Sequence, residues 1–277
     1  MYTLNSKGIL LTIDQPIVMG IINATPDSFF KGHSALGLDG IVLLAGKMID
    51  DGATILDIGG QSTRPGSERI PAAREIERVV PVIEAIQSKH PDTIISIDTY
   101  QSRVAEMALK AGASIVNDVS GGEMDNEMIG MVGSLHVPYI CMHMKGTPDT
   151  MQKDIHYENV LREVLDYFIF KIAECKAAGI NDIIVDPGLG FGKTIAHNFQ
   201  LLKQLEIFKL LEKPILAGIS RKSTIYKTLG ISAEEALNGT TVLNTVALLN
   251  GAAILRVHDV REAKEAIELI GSMKAAQ

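Results

Sequence analysis

Eight short apolar runs, rich in Ile, Val and Leu, recur along the 277-residue chain and nearly all of them end in polar residues. Stretches with helical periodicity separate the runs, and this alternation predicts a parallel sheet covered by helices. The runs end at Asn23, Asp57, Asp98, Asn117, His143, Asp186, Ser220 and Arg256. Eight such units close into a (β/α)8 TIM barrel, in which the carboxyl ends of the strands line the active site. The pattern therefore predicts one enzyme pocket.

The strands are expected at residues 17–23, 55–59, 94–98, 114–119, 139–143, 183–186, 215–219 and 253–257. Helices are expected between them, among others at 74–87, 103–110, 157–178 and 234–249. Glycine favours the left-handed turn just past a helix end, and the chain has it there at Gly52, Gly112, Gly179 and Gly251. Residues 2–15 predict a short N-terminal hairpin that closes the bottom of the barrel. Residues 1–277 are then a single domain, a length that suits one barrel.

Composition narrows the class of partner. The hydrophobic fraction of 46% supplies a large core, and the net charge of −7 argues against nucleic acid, which requires an excess of Lys and Arg. A small anionic ligand fits if positive charge is concentrated in one cleft. The first residues lack the apolar centre of a signal peptide, and no run reaches the length of a membrane span. We therefore expect a cytoplasmic protein without membrane contact.

The two cysteines, Cys141 and Cys175, have neither a disulfide framework nor zinc spacing, and we expect both thiols to be reduced. Cys141 and His143 alternate on one face of a predicted strand, which is compatible with a metal pair. A packed cysteine beside a hydrogen-bonded histidine is the more common arrangement.

Two connections on the carboxyl side of the strands, 24–37 and 60–71, are long for a barrel and predict mobile lids. The second begins with a glycine-rich strand exit that contains Ser62, Thr63 and Arg64. Glycines let backbone N–H groups approach a phosphate, and a guanidinium adds a charge-assisted contact. The alternative is an ordinary solvated turn.

A second group, Asp98, Asn117 and Asp186, ends the third, fourth and sixth strands. Two carboxylates and a carboxamide in one cleft suit a heterocycle with several N–H donors, because a carboxylate accepts two parallel N–H groups. A metal site is a rival interpretation. Another is that these side chains only satisfy buried backbone donors.

A third group combines residues 218–223 with Arg256 and His258. Side chains at i and i+2 of a strand share a face, so both should face the corner where barrels commonly bind phosphate. The alternative is a surface ion pair. Asn23 lies on the same rim, and a neutral oxygen ligand suits Mg²⁺, which takes its other ligands from water and substrate phosphate.

Motifs at six strand exits resemble those of bacterial dihydropteroate synthases, from about residue 18 to the end of the chain. They are residues 25–29 (TPDSF), 57–66 (DIGGQSTRPG), 117–120 (NDVS), 186–193 (DPGLGFGK), 220–223 (SRKS) and 256–259 (RVHD). The resemblance implies a transferase that joins 6-hydroxymethyl-7,8-dihydropterin diphosphate to para-aminobenzoate. The products are diphosphate and the 7,8-dihydropteroate of folate biosynthesis. It also implies Mg²⁺, a homodimer, and an aminobenzoate site that sulfonamides occupy.

Carried over position by position, the resemblance implies four sets of residues. Catalysis involves Asp98, Lys222, Arg256 and His258. The pterin diphosphate is held by Ser62, Thr63, Arg64, Asp98, Asn117, Asp186, Lys222, Arg256 and His258. The aminobenzoate pocket is lined by Thr63, Pro65, Phe191, Lys222 and Ser223, and Asn23 binds the metal. This pocket is expected to form only after the pterin diphosphate has bound.

The chain departs from the family pattern at two places. Gln61 stands where the family usually has Glu, and residues 30–32 (FKG) stand where it usually has Ser-Asp-Gly.

Two rival functions share part of the pattern: a pterin-binding methyltransferase that works with a corrinoid protein, and a silent homologue that only binds pterin. The anion motifs at 220–223 and 256–258 disfavour the methyltransferase, which binds no diphosphate. Thr63, Arg64, Lys222 and His258 disfavour the silent homologue.

A homodimer is also expected from residues 241–249, which carry Val242, Leu243, Val246, Leu248 and Leu249 on more than one helical face. A helix that is apolar on several sides usually packs against more than one partner.

Overall fold

A computed structural model describes residues 1–25, 37–62, 67, 69–148, 150–151 and 155–276. Its centre is an eight-stranded parallel sheet, as the apolar runs predict. The strands are β3 (Ile17–Asn23), β4 (Ile55–Gly59), β5 (Ile94–Asp98), β6 (Ile115–Asp118), β7 (Tyr139–Met142), β8 (Ile183–Asp186), β9 (Leu216–Ala217) and β10 (Ile254–Val257). They are hydrogen-bonded in the order β8-β7-β6-β5-β4-β3-β10-β9, and a parallel bridge between Val185 and Ile215 closes the ring.

Four strands are shorter than predicted. Residue 119 is not part of β6, because the Asp118 side chain turns the chain there: its oxygens accept from the backbone N–H groups of Ser120 and Gly122 at 2.8 Å. β7 and β10 each lose one end residue, and β9 is only Leu216–Ala217, with Ile215 contributing the single bridge to β8.

The helices are α1 (Gly37–Asp50), α2 (Ala72–Lys89), α3 (Ser102–Ala111), α4 (Met128–Leu135), α5 (Val160–Ala177), α6 (Ile195–Lys203), α7 (Ser223–Leu229), α8 (Leu237–Leu249) and α9 (Val260–Ala275), with a 3-10 helix at Leu205–Leu211. The start of α5 is later than predicted because Asn159 caps it, its side chain accepting from the backbone N–H of Arg162. The expected helix-end glycines are confirmed: Gly52, Gly112, Gly179 and Gly251 all have positive φ.

The N-terminal hairpin is also confirmed. Its strands β1 (Tyr2–Ser6) and β2 (Ile9–Ile13) pair antiparallel, and Leu4 and Ile13 are buried. They pack with Ile55 and Ile115, the first residues of β4 and β6, and with other apolar residues near the starts of strands. The hairpin therefore closes the amino end of the barrel and leaves the carboxyl end as the open face. Among the described residues, no helix combines the length and apolar character needed to cross a membrane.

Two glycines of α4 provide a test of this packing. A Cβ atom at Gly133 would lie 1.9 Å from the carbonyl oxygen of Ala178 at the end of α5, whereas one at Gly130 would meet nothing within 4 Å. Gly133→Ala should lower the free energy of unfolding by about 1–3 kcal/mol through overpacking. The matched variant Gly130→Ala should leave it unchanged or raise it by up to about 1 kcal/mol, since alanine favours helix. Urea titration measures both; equal stability of the two variants would contradict the close contact between α4 and the end of α5.

Candidate active site at the carboxyl end of the barrel

Arg256 ties two buried carboxylates together at the open end of the barrel. Its Nε donates to Asp57 Oδ2 and its Nη2 donates to Asp98 Oδ2, each at 2.6 Å. The three side chains come from β10, β4 and β5, and β3 lies between β10 and β4. Asp57 is fully buried and Asp98 is 8% exposed. Buried charges of this kind are stable only when paired, so Arg256 is needed for both carboxylates.

In each carboxylate, Arg256 binds only one of the two oxygens. Among the described residues, Asp57 Oδ1 and Asp98 Oδ1 are buried without a hydrogen-bond partner. An unsatisfied buried acceptor costs free energy, and a ligand that brings an N–H or O–H donor recovers it. The site is therefore prepared for a ligand with hydrogen-bond donors.

Burial raises the pKa of Asp98 to about 7, although the charge of Arg256 opposes the shift. Burial by itself would lower the pKa of Arg256, but Asp57 and Asp98 raise it above its ordinary value. Since the carboxyl of Asp98 ionises more easily in the unfolded chain, its ionisation opposes folding. Asp98 therefore contributes less to the stability of the folded protein as the pH rises from about 4 towards 7.

Asn117 joins this cluster from β6. Its Nδ2 donates to Asp57 Oδ2 at 3.0 Å, which orients the amide and leaves Oδ1 as an acceptor for a ligand. β6 pairs with β5 such that Asn117 lies beside Asp98. The convergence of Asp98 and Asn117 thus follows from strand register.

Asp186 and Lys222 face the same centre from the exits of β8 and β9. Asp186 Oδ1 accepts from the backbone N–H of Gly188 at 2.8 Å, and burial raises the pKa of the carboxyl. Burial lowers the pKa of Lys222 to about 8, while the nearby Asp186 and Asp98 counteract this shift. The Lys222 ammonium donates to the carbonyl oxygen of Leu189 at 2.6 Å and lies 4.5 Å from the centre of the Phe191 ring.

Phe191 is partly buried against a small methionine-rich cluster above the barrel, formed by Tyr100, Val119, Met124, Met142, Met144 and Met151. Ser223 opens α7 directly after Lys222 and is half-buried. The Phe191 ring, the Lys222 ammonium and Ser223 at the start of α7 are thus close to one another. This arrangement suits an aromatic ligand with an anionic substituent.

Arg256 and His258 do not share one environment. Arg256 lies inside the carboxylate cluster, whereas His258 is exposed one residue past β10. His258 lines a cavity of about 290 Å³ with Lys47, Asp51 and Arg261 among its other walls. The i, i+2 argument assumes that the strand continues to residue 258, but β10 ends at Val257.

Asn23 ends β3 with an exposed side chain beside Gly59 of β4. Ser62 is half-buried, and its hydroxyl lies 2.8 Å from that of Ser67. Thr63, Arg64 and Pro65 lie outside the described residues, as does the segment 26–36. Most of the first predicted lid, the middle of the second, and some residues predicted for both substrate pockets therefore lie outside the described residues.

Gln61, one of the two departures from the family pattern, is buried and bridges the second long connection. Its Nε2 donates to the Ser62 carbonyl at 2.9 Å and its Oε1 accepts from the Ile70 N–H at 2.8 Å. A glutamate could accept at this position but could not donate.

Arg221 and Asp259 are further residues whose roles the sequence motifs did not indicate. Arg221 Nε and Nη2 donate to the two carboxylate oxygens of Asp259, each at 2.8 Å. Arg221 also has a φ of 51° and donates to the carbonyls of Ala233 and Glu234. This bidentate pair joins the exits of β9 and β10.

The fold and this site define a TIM-barrel enzyme whose pocket of buried carboxylates and an amide suits a nitrogen heterocycle. A profile of the pterin binding enzyme family matches residues 19–258. Dihydropteroate synthase of Escherichia coli K12 is 40% identical over 274 residues, which are 98% of this chain and 96% of that protein. The enzyme of Streptococcus pyogenes is 41% identical over 92% of this chain and 95% of its own length.

Solved structures agree. Yersinia pestis dihydropteroate synthase in a sulfonamide drug complex superposes with a TM-score of 0.94 at 37% identity, covering 99% of this chain and 100% of that one. The Xanthomonas albilineans enzyme in complex with 7,8-dihydropteroate gives 0.89 at 35% identity, covering 100% of both chains. The chain therefore belongs to the pterin binding enzymes. Within that family it is a transferase of the dihydropteroate synthase group, with the activity of dihydropteroate synthesis in folate biosynthesis.

The raised pKa of Asp98 makes a prediction about pterin binding. We expect Asp98 to accept from the pterin N–H donors when it is ionised and to lose that acceptor when it is protonated. Because the pKa is about 7, affinity should rise with pH from 6 to 8, by less than about tenfold per unit. Calorimetry with a pterin that lacks phosphate groups measures this without interference from diphosphate titration. Asp98→Asn should reduce this pH dependence, to which Asp186 and Lys222 also contribute, and a flat profile for the unaltered protein would contradict the role of Asp98.

Proposed function

We propose that Asp98, Asn117 and Asp186 bind the pterin edge of 6-hydroxymethyl-7,8-dihydropterin diphosphate, with Lys222 donating to a ring oxygen or nitrogen. The observation that supports this most directly is the buried Asp98 Oδ1, which no described residue satisfies. Asn117 Oδ1 and Asp186 Oδ2 supply further acceptors at the same end of the barrel. Acceptors in this arrangement complement a heterocycle that is rich in N–H groups.

The diphosphate is proposed to extend from the pterin towards Ser62, Thr63, Arg64 and His258. Arg256 donates from two nitrogens to Asp57 and Asp98. Its remaining N–H groups are proposed to make a supporting contact with the anion. This makes Arg256 first a counter-charge for the carboxylates and only then an anion ligand. His258, on the exposed rim, then contacts the outer phosphate.

Mg²⁺ fits the donor set of this rim. Asn23 offers one exposed, neutral amide oxygen, and Mg²⁺ commonly keeps several waters and takes its other ligands from substrate phosphate. When bound, the ion would neutralise charge that grows on the leaving diphosphate. Asn23 is the described residue proposed to hold it.

The reaction is proposed to be a dissociative, SN1-like displacement. The bond between the pterin methylene carbon and the diphosphate oxygen breaks, and the electron pair leaves with diphosphate. The electron-rich pterin and the nearby Asp98 carboxylate stabilise the resulting cation. The neutral arylamine nitrogen of para-aminobenzoate then forms the new C–N bond and releases a proton. Such a step uses no protein nucleophile.

The aminobenzoate is proposed to lie against Phe191, with its carboxylate near Lys222 and Ser223. The ring of Phe191 stacks on the arene, and the ammonium 4.5 Å from that ring attracts the carboxylate. Thr63 and Pro65 are proposed to complete this pocket. A sulfonamide places its sulfonyl group where the carboxylate lies.

Asp186→Asn tests the pterin assignment. The amide oxygen can still accept from the Gly188 N–H, but the amide nitrogen then faces the pterin donors. That mismatch should cost about 2–4 kcal/mol and weaken pterin binding by tens to hundreds of fold.

Asp118→Asn is the matched control for this substitution. Asp118 is another buried carboxylate at a strand end, but its partners are Ser120, Gly122 and Tyr139. It should lower thermal stability without changing the pterin affinity of the folded protein. Calorimetry that finds unaltered affinity in Asp186→Asn would make Asp186 structural.

Removal of the metal tests the role of Asn23. Pterin diphosphate should bind at least about tenfold more weakly in chelator than in millimolar Mg²⁺, a difference of about 1.4 kcal/mol. In Asn23→Ala this ratio should fall towards one, and the exposed position makes misfolding an insufficient explanation. Calorimetry showing equal affinity with and without Mg²⁺ would remove the ion from the proposal.

A homodimer through α8 is proposed as well. Val242, Val246 and Leu249 follow one another at i, i+4 and i+7; Val242 is 53% and Leu249 is 48% exposed. Leu248, in contrast, is buried in the barrel core. The adjacent helix α9 also exposes Leu269 and Met273. Such an apolar surface is typical of a protein–protein contact.

Sedimentation equilibrium tests this contact. The unaltered chain should be a dimer at micromolar concentration, and the double variant Val242→Lys/Leu249→Lys should be a monomer. The control Phe170→Lys, at an apolar residue on α5 that is even more exposed, should remain a dimer. A monomeric unaltered chain would disprove the proposal.

The protein is proposed to act in the cytoplasm, with small-molecule substrates and without nucleic acid or membrane partners. Cys141 and Cys175 are both buried and free, which suits a reducing compartment.

A further inference from the structure

Lys193 is a buried lysine at the end of the glycine-rich turn that follows β8. Its side chain is among the least accessible charged groups described, with 3% exposure. Its ammonium lies 2.9 Å from His143 Nδ1 and donates to the carbonyls of His143, Gly188 and Phe191 at 3.1, 3.0 and 2.9 Å. The ammonium therefore joins the exit of β7 to both ends of the segment Gly188–Phe191.

Opposing electrostatic effects act on the charge of Lys193. Burial lowers the pKa of Lys193 to about 7, while the nearby Asp186 favours the charged form. Burial together with Lys193 and Lys145 lowers the pKa of His143 to about 2, so the imidazole stays neutral and its Nδ1 accepts from the ammonium. Three carbonyl dipoles add to this stabilisation.

The turn cannot move far from β7 at its base. Gly188 and Gly192 have positive φ, and a Cβ atom at Gly188 would lie 1.9 Å from the His143 carbonyl oxygen. One at Gly192 would lie 2.5 Å from the Lys145 carbonyl oxygen. Tyr157 also donates its hydroxyl to the Gly192 carbonyl at 2.9 Å.

The opposite side of the same turn carries the ligand-facing groups. The Leu189 carbonyl accepts from Lys222, and the Phe191 ring lies against the Lys222 ammonium. Lys193 thus binds the carbonyls of Gly188 and Phe191 from the buried side of the turn. Lys222 binds the Leu189 carbonyl from the pocket side. A shift of the turn would therefore displace the Lys222 ammonium and the Phe191 ring together.

We infer that Lys193 is a positioning residue, which holds the Gly188–Phe191 turn against His143 so that Phe191 and Lys222 are aligned for the arylamine substrate. This rests on the proposed placement of para-aminobenzoate against these two side chains. Asp186, the nearest proposed pterin ligand, lies on strand β8 outside this turn and contacts it through the Gly188 N–H, whereas Phe191 is part of the turn. Loss of the ammonium should therefore affect the arylamine more than the pterin.

Steady-state kinetics of Lys193→Met tests this inference. The variant keeps the length of the side chain and removes its donors. The KM for para-aminobenzoate should rise about tenfold or more, and the KM for pterin diphosphate by less than about threefold. His143→Leu removes one acceptor of the ammonium and is a second variant if Lys193→Met does not fold. It should shift the same KM in the same direction by a smaller factor.

Phe191→Ala and the double variant Phe191→Ala/Lys193→Met separate positioning from general stability. Lys193 acts through the turn that carries Phe191. The factor by which the double variant raises the KM for para-aminobenzoate should therefore be well below the product of the two single-variant factors. Thermal unfolding of each variant is recorded in parallel. Equal shifts of both KM values, full multiplication of the two effects, or a lower Tm with unchanged KM values would each overturn the positioning role.

The same set distinguishes failure of the underlying subsite proposal. If Phe191→Ala alone leaves the KM for para-aminobenzoate unchanged, the aminobenzoate does not lie against Phe191, and the subsite is wrong whatever Lys193 does. If Phe191→Ala raises that KM but Lys193→Met does not, the subsite stands and the inference about Lys193 fails.

Discussion

The shared guanidinium of Arg256 is the interaction on which the open end of the barrel depends. Asp57 and Asp98 are both buried, and two unscreened carboxylates so close together would repel each other strongly. Arg256 reaches across β3 and donates to one oxygen of each. Removal of a single partner would leave an uncompensated buried charge, which typically costs several kcal/mol. Arg256, Asp57 and Asp98 therefore depend on one another for their stability in the folded protein.

This arrangement leaves the pocket incompletely satisfied when it is empty. Arg256 occupies one oxygen of each carboxylate, and the second oxygen of each has no partner among the described residues. Stability that the barrel core supplies offsets this cost, and a ligand with N–H donors recovers it. The raised pKa of Asp98 and the lowered pKa of Lys222 have the same origin, because burial penalises both charged forms.

The eightfold alternation of apolar runs and helices predicted the barrel. The hairpin was predicted from residues 2–15 and the helix-end glycines from their preference for left-handed turns; all three features depend on residues near in sequence. The candidate set Asp98, Asn117 and Asp186 was also predictable, since parallel strands bring their carboxyl ends to one face. Strand ends were less accurate where a side chain redirects the chain, as Asp118 does after β6. The end of β10 at Val257 is as predicted, so His258 lies one residue past the strand and the i, i+2 rule does not extend to it.

The sequence by itself determined the class of fold, the face that carries the site and the kinds of chemical group found there. These follow from the period of the apolar pattern and from motifs within a few residues of one another. Only the tertiary structure decided the partners. Arg256 pairs with Asp57, 199 residues away, Lys193 with His143, 50 residues away, and Arg221 with Asp259, 38 residues away. Local periodicity does not encode such choices, because they depend on which buried charge lies within hydrogen-bond distance once the barrel has closed.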